Sequence, residues 1–475
     1  MKLLLRVLPV ALSIAILVPE CGSVPGIAKA PDIDIIVTAA PVYRPLAALR
    51  GEERFPGGAQ LLMIHQGKVE LLVKGFAATA DANVSFDGKS VLFAGKKTSA
   101  DPWQIWELTL ADGSVLKLIA GGADAIRPLY LPSGQLVFAL RTETGYQLEV
   151  AGKASFLADV PIAADAGSTL LPISFLAASA IPEDVLLDGR ILFEANYPLG
   201  LGSVPEMYLV YADGSGVESY RCDHGRARWG GRQIASGDVV FTRGASLARF
   251  TSPLAHELTV ATPQGEFAGG VAERPSGEWL VSVRTAPKAH YSLRLFKPGS
   301  PQARTAALQA VFEVKDQDLV EPVLAAPRAR PHHHPTSLHP WNYANLLALD
   351  SRMSREGDLK TLPASVRLET LDAQGHVVVN GAAPVDADGS FFVQTPGDKP
   401  IRFSLLNAQG AVVLQEHGWF WIRKGEQRIC TGCHTGPERG SENHVPAVLM
   451  RTTVPENLTG IDIDTQPQTR APGGN

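Results

Sequence analysis

Cysteine is scarce. The 475-residue chain has four, Cys21, Cys222, Cys430 and Cys433. So few exclude a disulfide-stapled scaffold, and only Cys430 and Cys433 stand close together, whereas a four-cysteine structural zinc site needs two such pairs. Excess positive charge is also missing, with 43 Lys and Arg against 48 Asp and Glu and a net charge of -5. No basic stretch is dense enough to hold a phosphate backbone, so no nucleic-acid partner is expected. The run behind Lys2 and Arg6 reaches only Val18, too short for a confident membrane span. It reads as a signal peptide over residues 1–23, with cleavage near Ser23 or after Ala30. No spanning segment is expected after cleavage. An uncleaved anchor is the alternative, and Cys21 offers a lipidation site that the preceding Glu20 disfavours. Glycine and proline are plentiful, 45 and 35 residues, which suits short strands joined by turns.

The one close cysteine pair sits in ICTGCHTG, residues 429–436. Cys430, Cys433 and His434 form C-x-x-C-H, the pattern for covalent attachment of a c-type haem. Two thiols at this spacing can each add to one vinyl group of a porphyrin, and the imidazole that follows can reach the iron as axial ligand. A thioredoxin-like redox pair would need a strand–helix context that the flanking sequence lacks. Export fits this reading, because c-type haem is attached outside the cytoplasmic membrane. The expected cofactor is one covalent haem c, and the expected location is the periplasm or another extracytoplasmic space.

From about residue 60 to 300 a loose unit recurs: a turn with Gly, an apolar strand, then a second strand. The copies are SFDGKSVLFAGKK from Ser85, LPSGQLVFALR from Leu131, LLDGRILFEANY from Leu186, IASGDVVFTRG from Ile234 and RPSGEWLVSVRT from Arg274. Their turn glycines, Gly88, Gly134, Gly189, Gly237 and Gly277, fall about one propeller blade apart. Each Asp-Gly or Ser-Gly supplies a tight turn, and the apolar strand after it is expected nearest the central channel. This resembles the repeat of TolB-like β-propellers. The fold class is mainly β: an N-terminal propeller of six or seven blades over residues 40–320, then a small β-rich domain carrying the haem. A β-sandwich or two stacked barrels is the alternative. In the loop YRCDHGRARWGG, Cys222 and His224 are candidate ligands of a second metal ion, zinc being the expected species, with plain packing as the other reading.

Residues 321–341 are rich in proline and histidine and read as a linker or strap. His332, His333, His334 and His339 read as a basic strap, with metal or haem ligation as the alternative. Residues 342–458 form short strands, and 459–475 a polar disordered tail. The order of a Pro-rich strap, L-D-S-R, V-D-A-D-G-S-F, L-L-N-A-Q-G, W-F-W-I-R-K-G-E and C-T-G-C-H resembles the haem-bearing middle domain of the hydrazine synthase alpha subunit family. In that family a propeller precedes this domain. A further domain with a second c-type haem follows it there and is expected to be absent here, since 41 residues remain after His434. The family also places a Tyr on the iron shortly after the motif and turns the motif His to zinc. TGPERGSENH, which follows His434, has no Tyr, so an ordinary His434–iron bond is expected and hydrazine synthesis is not carried over.

Around the haem, Trp419, Phe420 and Trp421 are expected against the macrocycle, and Arg423, Lys424 and Arg428 near its propionates. His444 is the first candidate for a sixth ligand, with His417, Met353 and Met450 as alternatives and an open five-coordinate iron as a further one. The function these readings imply is an exported monohaem cytochrome, moving electrons to a redox partner protein in the periplasm or envelope, or doing small-molecule redox chemistry. The alternative is a propeller-based binding or scaffold protein with a structural or sensory haem.

Overall fold

A computed structural model describes residues 33–152, 170–221, 223–299, 309–354, 357–372, 374–431 and 443–463. Among these residues, six antiparallel sheets form a propeller. The first blade runs outward as Asp318–Leu324, Ile35–Ala40, Gln60–His65 and Lys68–Leu71. The next four begin with the inner strands Ala78–Val84, Ala125–Tyr130, Ile181–Val185 and Trp229–Gln233. The sixth is built on Trp279–Arg284 and Ser292–Phe296. The inner strand of blade one comes from the far end of the propeller sequence, and it packs against both blade two and blade six. The ring therefore closes by pairing its last strand with its first, which leaves no free inner edge.

The five turn glycines all adopt positive φ, from 74° at Gly88 to 90° at Gly237. Each joins the inner strand of a blade to the second strand. The apolar strand after the turn is therefore the second strand, not the one nearest the axis as its hydrophobicity suggests. Second strands such as Ser90–Lys96 and Ile191–Tyr197 are covered on both faces by neighbouring blades and read as continuous apolar runs. Inner strands read as less apolar because each breaks register beside the axis.

Those register breaks bring charge together. Asp81, Arg127 and Glu321 sit at bulges of the inner strands of blades two, three and one with φ of 61°, 55° and 56°. Such backbone is costly for residues with a Cβ and persists only where the surroundings over-determine it. Here buried ion pairs do so. Arg54 pairs with Asp81, and with Glu321 at 2.8 Å. Arg127 reaches Glu321 at 2.7 Å and Glu183 of blade four at 3.5 Å. Burial and the neighbouring Glu183 hold the Glu194 carboxyl well above the usual carboxylate range. The cluster ties four blades together through groups that have left water. Replacing Arg54 with Met should cost about 3–5 kcal/mol in chemical denaturation, because Asp81 and Glu321 lose a buried counter-charge; a change near zero would mean that ring closure does not depend on this cluster.

After Leu324 the chain crosses the face that carries the turn glycines. Arg328 N–H donates to Phe86 O at 3.0 Å, and His332 N–H to Leu187 O at 2.9 Å. His334 stacks on Tyr211 at 3.9 Å. Gly189 is required twice over, since its φ is 89° and a Cβ there would lie 2.3 Å from His332 O. His332 and His334 of this strap thus lie against blade four, whereas His339 donates its N–H to Gly425 O of the terminal domain at 2.8 Å and stacks on Trp341. Residues 321–324, expected in the linker, belong to the first blade.

The terminal domain is a sandwich of two four-stranded sheets. One has the order Gln427–Cys430, Tyr343–Ala348, Phe391–Pro396 and Glu456–Asn457, and the other Val377–Pro384, Ser365–Leu371, Ile401–Leu406 and Val412–Gln415. Leu346, Val393, Val366, Leu368 and Ile401 fill the space between them. No helix among the described residues is long and apolar enough to cross a membrane. Residues 1–32, with Cys21 and the expected signal, lie outside the described residues.

One buried acid in blade three yields a pH test. Burial pushes the Glu149 carboxyl up to about 7. A folded-state pKa above the unfolded value means stability is present at low pH and lost as pH rises toward 7. Glu149→Gln should therefore be near neutral at pH 5 and stabilising by about 1–3 kcal/mol at pH 8, read from denaturation midpoints at the two pH values; equal effects at both would show that this carboxyl titrates normally.

Candidate functional site

Cys430 ends the edge strand Gln427–Cys430, which pairs in parallel with Tyr343–Ala348 so that Cys430 lies opposite Ala348. Its carbonyl accepts from Leu349 N–H at 2.8 Å. This fixes the first motif cysteine on a sheet, half-buried, at the wall of a cavity of about 310 Å³. The cavity lies between the terminal domain and blade four. The domain contributes Leu346, Phe391, Phe403, Leu405 and Phe420, and the blade Tyr197, Tyr208, Val217 and His224. Cys433, His434 and Cys222 lie outside the described residues.

The other expected residues divide between this cavity and elsewhere. Trp419 lines it, buried, with the Arg402 guanidinium 4.5 Å from its ring. Trp421 does not line it. Its indole is buried between blades three and four, where Nε1–H donates to Gly214 O at 2.9 Å. Arg423 leaves in the same direction and donates to Pro172 O at 2.7 Å. Arg428 does line the cavity. Its Nη2 donates to Val217 O, and its buried Nη1 makes no hydrogen bond among the described residues but lies 3.9 Å from the Glu426 carboxylate.

The candidate axial ligands separate in the same way. His417 lines the cavity, and its Nδ1 lies 3.1 Å from Tyr197 Oη. His444 does not line it. It stands on the Asp388 carboxylate at 3.1 Å, which also accepts from Ala447 N–H at 2.7 Å. Burial raises the Asp388 pKa, but hydrogen bonds from Ser390, Ala447 and His444 outweigh this and hold the carboxylate ionised far below its usual range. The DADGS turn thus anchors the returning chain before the short helix Ala447–Arg451. Met353 is buried elsewhere and Met450 is exposed. His224 lines the cavity through stacking on Tyr197, with centroids 4.2 Å apart and planes 3° from parallel, and its Nδ1 lies 2.7 Å from the buried Glu206. Among the described residues no three His, Cys, Asp or Glu side chains converge in a metal-binding group.

Sequence reasoning missed Tyr197, Tyr208 and Glu206. Tyr208 Oη has no hydrogen-bond partner among the described residues, and burial, then Glu206, pushes its pKa well up. Nothing local marks these residues, since Tyr197 meets His417 across 220 positions of sequence.

Backbone contacts hold the two walls at this spacing. Trp419 N–H donates to Leu199 O at 2.7 Å, and a Cβ on Gly418 would lie 2.6 Å from that oxygen. Gly418→Val should push the 197–200 loop away, lower stability by about 1–3 kcal/mol and speed protease cleavage between the domains; unchanged cleavage would show that the walls meet without this contact.

A propeller joined edge-on to a two-sheet domain, with a C-x-x-C-H beginning on the last edge strand, defines a class of β-propeller proteins with a cofactor-type motif at the domain junction. Residues 356–435 match the family model of the hydrazine synthase alpha subunit middle domain. The chain is therefore hydrazine synthase alpha subunit-like. The solved structure of Kuenenia stuttgartiensis hydrazine synthase aligns with 89% of this chain and 72% of its own, at TM-score 0.73 and 16% identity, which establishes a shared fold. TolB from Acinetobacter baumannii aligns over 62% of this chain and 68% of its own, at TM-score 0.42 and 12% identity. Comparison with curated proteins returned no match.

Proposed function

We propose that the cavity between blade four and the terminal domain receives one c-type haem, bound through Cys430 and Cys433 with His434 on the iron, and that the protein is an exported redox protein. The observation that carries this is the placement of Cys430 at the wall of a largely apolar cavity that Arg428 also lines. A covalently held haem would supply one-electron exchange and a position for a small ligand. The chain's own residues do the rest. Phe391, Phe403 and Trp419 exclude water, Arg428 offers a donor to a propionate, and the propeller closes the opposite wall. The N-terminal segment supports export, and a redox partner protein in the envelope follows from the need to reload the centre. The Kuenenia stuttgartiensis protein is a hydrazine synthase, and that activity is not assigned to this chain.

The test is expression of the full chain in a host with c-type maturation machinery, followed by haem staining after denaturing electrophoresis. One covalent haem per chain is expected. Cys430→Ala with Cys433→Ala should abolish the stain; persistence in the double variant would sink the reading.

A further inference from the structure

We propose that the propeller carries a separate binding site for a free α-amino acid, on the face opposite the strap, with Arg141 taking the ligand's carboxylate and Asp124 its ammonium group. This goes beyond the haem reading and does not rest on it, because no residue of this site lines the junction cavity.

The site is a cavity of about 350 Å³, within the range of small-molecule pockets. Its walls are strand ends of blades two and three that lie away from the turn glycines. Asp124 precedes the inner strand Ala125–Tyr130, and Arg141 ends the second strand Leu136–Arg141. Residues 51–55, from the loop joining Ile35–Ala40 to Gln60–His65, form a further wall. The buried rings of Phe55, Trp103 and Tyr146 complete it.

Most charges at this cavity are already matched. Arg54 pairs with Asp81, Lys96 with Glu53 at 3.2 Å, and Glu52 with Arg50 at 3.0 Å. Asp124 and Arg141 are the exceptions. They are cross-strand neighbours, since Arg141 N–H donates to Asp124 O at 2.8 Å. Opposite charges so placed ordinarily stabilise a sheet by pairing. Here neither side chain forms an ion pair among the described residues. Each is turned aside by its own hydrogen bond. Asp124 Oδ1 accepts from Trp103 N–H at 2.8 Å, and Arg141 Nη1 donates to Gly51 O. Gly51 makes the second contact feasible, because its φ is 69° and a Cβ there would lie 3.2 Å from both Nη1 and Nη2. The guanidinium also lies 5.2 Å from the centre of the Tyr146 ring.

Two opposite charges held apart beside one cavity suit a ligand that carries both. The guanidinium fork matches a carboxylate, and the Asp124 carboxylate accepts from an ammonium group. An α-amino acid is the smallest common ligand with the two charges side by side. The remaining walls, with the Arg54–Asp81 and Lys96–Glu53 pairs, fit a short polar side chain rather than a long apolar one.

The experiment is titration calorimetry of the full chain at low ionic strength with glycine, L-serine, L-threonine, L-asparagine and L-glutamine. At least one should bind at one saturable site per chain; no binding by any of them overturns the proposal. The N-acetyl form of the binding amino acid lacks the ammonium charge, and its amide lacks the carboxylate. Each should bind more weakly by about tenfold or more, the loss expected for a charged hydrogen bond. Arg141→Gln and Asp124→Asn should each cause a similar loss while keeping the far-ultraviolet circular dichroism of the wild type. Equal binding of the blocked forms, or unchanged affinity in both variants, overturns the assignment. The blocked forms are tested on the wild-type chain, so they decide the question even where a variant misfolds. Failure of the haem stain leaves these outcomes unaltered, which keeps the two readings distinguishable.

Discussion

The buried indole of Trp421 makes the two domains one object. It is inserted between blades three and four, hydrogen-bonded to Gly214 O, with Phe193 and Tyr208 at its side. Truncating an aromatic side chain this enclosed typically costs about 3–5 kcal/mol. Two residues earlier, Trp419 faces the other way and lines the cavity. The W-F-W run therefore divides its labour, with one indole joining the domains and the other walling the space that the join creates; residues two apart would share a face in a regular strand, and here only Phe420 makes an isolated bridge, to Ile401.

The cavity is thus a property of the junction and not of either domain. The terminal domain supplies Cys430 and most apolar surface, while blade four supplies the polar groups Tyr197, Tyr208 and His224. A propeller is a rigid platform here because its ring is closed by strand pairing and by the buried Arg54, Arg127, Asp81 and Glu321 cluster near its axis. Rigidity matters for a redox centre, since ligand orientation and solvent exclusion tune its potential. The small domain alone could not fix a tyrosine hydroxyl beside His417; the blade does so.

Much of this was legible in sequence. The Gly88-to-Gly277 spacing gave the blades, because a tight turn constrains φ locally and leaves a mark in one or two residues. The C-x-x-C-H and the V-D-A-D-G-S-F run marked the terminal domain, because their spacing is itself the chemistry or the turn. The inner strands were not legible, since Asp81, Arg127 and Glu321 look like surface residues until ring closure brings them together. Trp421 was expected on the haem side because sequence shows an aromatic run but not which face each ring takes. The His417–Tyr197 pair was invisible, because contacts between distant segments leave no periodic signal.

The central claim is that the iron of a covalent haem occupies the junction cavity. Diffraction from crystals of the haem-loaded protein on both sides of the iron absorption edge tests it most directly. The account predicts one anomalous iron peak per chain, inside the cavity bounded by Cys430, Trp419 and blade four. An iron peak outside that cavity, or crystals of correctly matured protein with none, would contradict it.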